Sequence, residues 1–179
     1  MTAAHTKSVK MNFSALYSYV INTNYRSFPG VVSLIFSLFA AVVLVLRWDI
    51  MASNYKALFI IAALLFTVIN PLALAFKTFK QLKLSPSYKK PLDYTFTDKG
   101  ITVAQGEASQ DIEWKHICRI MMTEKMLAIY TGRLNAFVIP LKELGEDRGK
   151  IIASVVQFTA EYKPQLSKSL KRYQSGKGI

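Results

Sequence analysis

His116 and Cys118 are the residues whose types and spacing come closest to chemistry. An imidazole two residues from a thiol could activate it as a nucleophile, and on an extended segment the two would point to the same side. The set stops there. A structural metal needs about four ligands and a catalytic one about three. The chain has one cysteine and two histidines, and the second histidine is His5, far along the sequence. Asp111 with Glu113 and Glu146 with Asp147 are the paired carboxylates. Alternation puts the first pair on the wet face of a strand. The second suits the positive end of a helix that follows it. No G-x-S-x-G, H-E-x-x-H, P-loop or G-x-G-x-x-G motif occurs. The expectation is a surface His116, a buried Cys118, no metal, no cofactor and no enzymatic activity.

The elements that would position such residues begin with two apolar runs. Residues 27–46 and 57–76 are each twenty residues without a charge. At about 1.5 Å per residue, each matches the roughly 30 Å hydrocarbon core of a bilayer. The 26-residue lead and the second span argue against a cleaved signal peptide. Ten residues join the spans, so they read as a transmembrane hairpin, residues 27–76. The joining segment carries Arg47 and Lys56, whereas the outer flanks carry Lys7, Lys10, Arg26, Lys77, Lys80, Lys83, Lys89 and Lys90. The positive-inside rule then places both termini in the cytoplasm, at the plasma membrane. Trp48 and Tyr55 would mark one interface, Tyr25 and Phe28 the other. Asn70-Pro71 interrupts the second span. Proline removes a donor, kinks the helix and frees a carbonyl about one turn earlier. Asn70, Pro71 and the small residues Ser33, Ser37 and Ala41 are candidate helix-packing positions, because small residues let helices approach closely.

Residues 1–26 read as a cytoplasmic segment holding a short amphipathic helix, with Phe13, Leu16, Tyr17 and Val20 on one stripe. It would lie on the membrane or on the cytoplasmic domain; spacing alone leaves both open. Residues 77–90 read as a basic connector. From residue 91 the period changes to two. Leu92, Tyr94 and Phe96 alternate with Asp93, Thr95 and Thr97, Asp98-Lys99-Gly100 turns the chain, and Ile101 and Val103 continue. Four more strands follow, around Ile112, at residues 119–124, at 126–130 and at 135–139. A helix at 150–162, with Ile151, Val155, Phe158 and Tyr162 on one stripe, stops before Pro164. The fold class is therefore α+β: a membrane hairpin, then an antiparallel sheet or barrel over residues 91–163 closed by a C-terminal helix, with a basic tail at 164–179. This layout is that of the pleckstrin-homology (PH) superfold.

The strand pair DYTFTDKGITV, then IEWKHICRI, then AFVIPLKEL and a closing helix resemble the YcxB-like proteins of bacteria. Tyr94, Phe96, Asp98, Gly100, Ile101, Trp114, Ile117, Ile139 and Pro140 carry the resemblance. It implies a membrane-anchored PH-like domain and brings no catalytic or ligand residue with it. In PH domains that bind phospholipid headgroups, basic residues surround the loop joining the first two strands. Here that loop reads as Asp98-Lys99-Gly100, which argues against a specific headgroup pocket.

Lys and Arg total 23 against 11 acids, a formal charge of +12. The distribution matters more than the sum. Residues 1–56 carry +4, residues 77–90 +5, residues 91–162 −2 and residues 163–179 +5. The excess lies beside the spans and in the tail, so the expected partner for Lys77, Lys80, Lys83, Lys89, Lys90, Lys168, Lys171 and Arg172 is the anionic inner leaflet. Nucleic acid would need a basic, aromatic-interleaved face on the domain itself, which the sequence lacks. The expected function is a membrane-anchored binding or scaffold module with an unidentified protein partner, docked at a sheet edge near Tyr94 or Phe137. The alternatives are an accessory subunit packing on a larger membrane protein such as a transporter, and an anionic-lipid sensor.

Overall fold

The computed structural model describes residues 5–132, 135–162 and 170. Lys168, Lys171, Arg172 and nearly all of the tail lie outside them. The chain forms two units, one of residues 1–19 with 82–179 and one of residues 20–81.

The second unit is helical. Helix α1 (Phe13–Tyr25) runs into it from the first. Helix α2 (Phe28–Leu46) starts at Ser27, whose Oγ accepts from the Gly30 N–H at 3.2 Å, with Pro29 in the first turn. Helix α3 (Ser53–Leu64) continues through a π turn (Leu65–Ile69) into α4 (Asn70–Leu84). The unbroken run of 32 residues is about 48 Å long. Both long helices are apolar enough to cross a membrane. Ser37 is fully buried between them, its Oγ donating to the Ala62 and Ala63 carbonyls at 3.0 and 2.5 Å. Outward side chains such as Phe28, Leu46 and Phe76 are apolar and more than 70% exposed.

The first unit holds two antiparallel sheets. The four-stranded sheet is ordered β1 (His5–Val9), β2 (Leu92–Phe96), β3 (Gly100–Gln105), β4 (Ala108–Glu113). The three-stranded sheet is ordered β5 (Arg119–Met122), β6 (Met126–Tyr130), β7 (Ala136–Pro140). Helix α5 (Arg148–Tyr162) closes it. The core gathers Tyr94, Phe96, Trp114, Ile117, Leu127 and Ile129 with the buried stripe of α5. Trp114 anchors it: its Nε1 donates to the Thr97 carbonyl at 2.9 Å, and its ring lies 5.6 Å from that of Phe158. Gly100 has no room for a side chain, because a Cβ there would meet the Ile112 carbonyl oxygen. Tyr162, expected on the buried stripe, is 47% exposed, and Leu170 is buried against the core.

The sequence reading missed strand β1. Its residues pair with β2 from His5↔Phe96 to Val9↔Leu92. The whole helical unit is thus inserted between two neighbouring strands. The turn at Asp98-Lys99-Gly100 joins the second and third strands, not the first and second. The first-to-second connection is residues 10–91, which carry Lys10, Lys89 and Lys90 next to the sheet.

The same insertion settles where α1 begins its course. Asn12 caps it, its Oδ1 accepting from the Ala15 N–H at 2.9 Å. Ala15 and Leu16 are buried, and Ala15 packs with Met121, Met126, Ala128, Tyr130 and Val138 on the outer face of the three-stranded sheet. The buried face is therefore Ala15, Leu16 and Tyr19; Phe13 is 38% exposed and stacks on Tyr17. This cover explains why β6 is buried at every residue, Leu127 and Ile129 inward and Met126, Ala128 and Tyr130 under α1.

Candidate functional site

The His116–Cys118 pair does not form a site. Trp114–His116 is a 3-10 turn, not strand. Cys118 Sγ lies 3.6 Å from the His116 carbonyl oxygen, and Cys118 is exposed rather than buried as expected, because its N–H is held by the Tyr130 carbonyl at the sheet's rim. No group of three or more His, Cys, Asp or Glu gathers among the described residues. Glu113 is paired with Lys115 at 2.6 Å, and Asp147 with Lys7 of β1 at 2.8 Å. Each lysine's hydrogen bond holds its carboxyl below the usual carboxylate range.

Asn70 and Pro71 lie in a polar knot within the helical unit. In the π turn the Asn70 N–H reaches back five residues to the Leu65 carbonyl. The carbonyl facing Pro71 in that register is Phe66's, and Tyr25 Oη donates to it at 2.5 Å. Asn70 Nδ2 reaches Asn24 Oδ1 at 3.3 Å and Tyr25 Oη at 3.4 Å. Of the small-residue stripe, Ser37 is spent on the α2–α3 seam, with Ala40 buried beside it, while Ser33 and Ala41 are half-buried. Lys77, Lys80 and Lys83 are exposed on α4, where intervals of three keep them within about a 120° arc. Lys89 and Lys90 are exposed just before β2. Gln105 fixes this segment, its Nε2 donating to the Ser87 and Lys90 carbonyls at 2.9 and 3.1 Å.

The two candidate sheet edges fare differently. Tyr94 lies on β2, between β1 and β3, so that edge is closed by the chain itself. Its hydroxyl is buried with no hydrogen-bond partner among the described residues, and burial pushes its ionisation upward. Phe137 lies on β7, the last strand of its sheet. A groove of about 410 Å³ runs along β7, walled by Leu16 and Tyr19 of α1, Tyr88 and Gln110. That size lies within the roughly 300–1,000 Å³ of ligand clefts. The sequence named the strand but not the walls, which come from segments 27 to 121 residues away from Phe137.

No curated protein and no solved structure matches the chain. A family model does: residues 96–153, from the end of β2 into α5, match that of the YcxB-like proteins, so this stretch of the chain carries the pattern of the family it resembles.

Proposed function

We propose that this chain is a membrane-anchored binding module that holds a protein partner at the inner face of the plasma membrane. In this reading the hairpin crosses the bilayer twice and both termini are cytoplasmic. The excess of flanking lysines supports that orientation. The four-stranded and three-stranded sheets with a closing helix support a PH-like domain, entered by the hairpin between its first and second strands. Lys77, Lys80, Lys83, Lys89 and Lys90 then contact the anionic leaflet, at about 1 kcal/mol each.

The observation that carries the reading is the edge of β7, unpaired among the described residues, beside a walled groove. Edge strands of this kind are usually blunted or covered. A photo-crosslinking amino acid at Tyr88, in the full chain in its native membrane, tests the reading. It should capture one stoichiometric protein, and capture should survive replacement of residues 27–76 by an unrelated two-helix anchor. Loss of capture on replacement would favour an accessory subunit held through the hairpin. Capture of lipid alone would favour a lipid sensor.

A further inference from the structure

The hydrogen-bond phase of β7 identifies what its edge lacks. Thr131 N–H donates to the Asn135 carbonyl at 3.1 Å, and Leu141 N–H to the Lys125 carbonyl at 3.0 Å. In an antiparallel ladder bonded and non-bonded pairs alternate. Phe137 and Ile139 therefore bond to β6, opposite Ile129 and Leu127. Ala136 and Val138 point their N–H and C=O away from β6, and no strand pairs with them among the described residues. Pro140 has no N–H and ends the usable edge. Val138 is only 7% exposed, so its outward groups stand in a partly enclosed place where an unmade hydrogen bond is costly.

The charge of the groove narrows the occupant. A cleft at the β2–β3 turn is lined by Lys99, Asp111 and Glu113, and another by Glu124, Lys125, Lys142, Glu143 and Arg148. Among the described residues, the β7 groove has no charged lining residue. Its polar groups are the Gln110 and Asn135 amides, the Thr131 hydroxyl, two tyrosines and the outward backbone groups of β7. Neutral, alternating donors and acceptors complement a peptide backbone, not a phosphate headgroup or a nucleotide.

We propose that β7 takes an extended, uncharged segment of a partner protein as an added strand, hydrogen-bonded at Ala136 and Val138, with an apolar side chain of that segment beside Leu16 and Tyr19 on the face that α1 covers. This rests on the protein-binding reading and specifies its mode.

The test uses the full chain in nanodiscs and a phage-displayed library of random linear dodecapeptides. A peptide enriched over empty nanodiscs is synthesised and titrated. Ala136→Pro removes one outward donor and leaves the β6 ladder bonds in place, so its binding should weaken at least tenfold while amide exchange at Phe137 and Ile139 stays slow. On the wild type, peptide binding should slow exchange at Ala136 and Val138, a readout that needs no variant. Equal binding to the proline variant, or unchanged exchange at both residues, overturns strand addition and leaves the protein-binding reading standing. No enrichment overturns both. A strongly charged consensus overturns the neutral occupant.

Discussion

Val9→Ala tests whether β1 is an integral strand of the sheet. Val9 is 2% exposed, packs in the main core and stands opposite Leu92. The substitution removes two buried methyl groups at about 0.8 kcal/mol each, and the cavity brings the cost to about 2 kcal/mol. Beyond its ladder to β2, the side-chain contacts of β1 are a Thr6–Thr95 hydroxyl contact at 3.0 Å and the half-exposed Lys7–Asp147 pair. The loss should therefore appear as local opening of β1. The phase of β2 makes this readable. Thr97 N–H bonds to the Gly100 carbonyl, so Asp93 and Thr95 face β3, while Tyr94 and Phe96 face β1. Amide exchange at Tyr94 and Phe96 should accelerate roughly 30-fold for about 2 kcal/mol, and at Thr95 hardly at all. Unchanged exchange at Tyr94 and Phe96 would show that β1 does not hold that edge.

Trp114→Ala should cost about 3–5 kcal/mol, read as a lower thermal midpoint, since it empties the core beside Phe158 and strips a partner from the Thr97 carbonyl. Tyr25→Phe should destabilise the hairpin by roughly 0.6–1.7 kcal/mol in bilayers, because the Phe66 carbonyl loses its donor; steric-trap unfolding measures it. Acid should loosen β1 as well. The Asp147 carboxyl titrates lower when folded, so the stability it adds is complete above the ordinary carboxylate value, about 3.9, and is lost as pH falls through the lowered folded value. Exchange at Tyr94, corrected for its intrinsic rate, should rise over that window, and Lys7→Gln should remove most of the rise.

What the sequence made legible followed from local periodicity. Leu92, Tyr94 and Phe96 alternate cleanly, and the strand they imply is present within a residue of its expected end. The apolar runs and the stripe of α5 were equally readable. β1 was not, because HTKSV buries one side chain and its partner strand begins more than eighty residues later. Missing it shifted the count of strands and turned a closed strand, β2, into a candidate edge. The polar knot was half legible: Pro71 announces a displaced carbonyl, but the donor, Tyr25, comes from 41 residues away. Cys118 was misjudged because a lone apolar-looking thiol between Ile117 and Arg119 gives no sign that it sits exposed at the sheet's rim, held by the Tyr130 carbonyl. The β7 groove needed the tertiary fold, since α1 and Tyr88 build its walls.

Cys118 also offers the most direct measurement of the central claim, that the sheet unit is held at the cytoplasmic face. It is the chain's single cysteine and it is exposed. A membrane-impermeant maleimide should leave it unmodified in intact cells and label it in inverted membrane vesicles. Asp49→Cys in a Cys118→Ser background, which reports the turn between the spans, should give the opposite pattern. Labelling of Cys118 in intact cells would contradict the account.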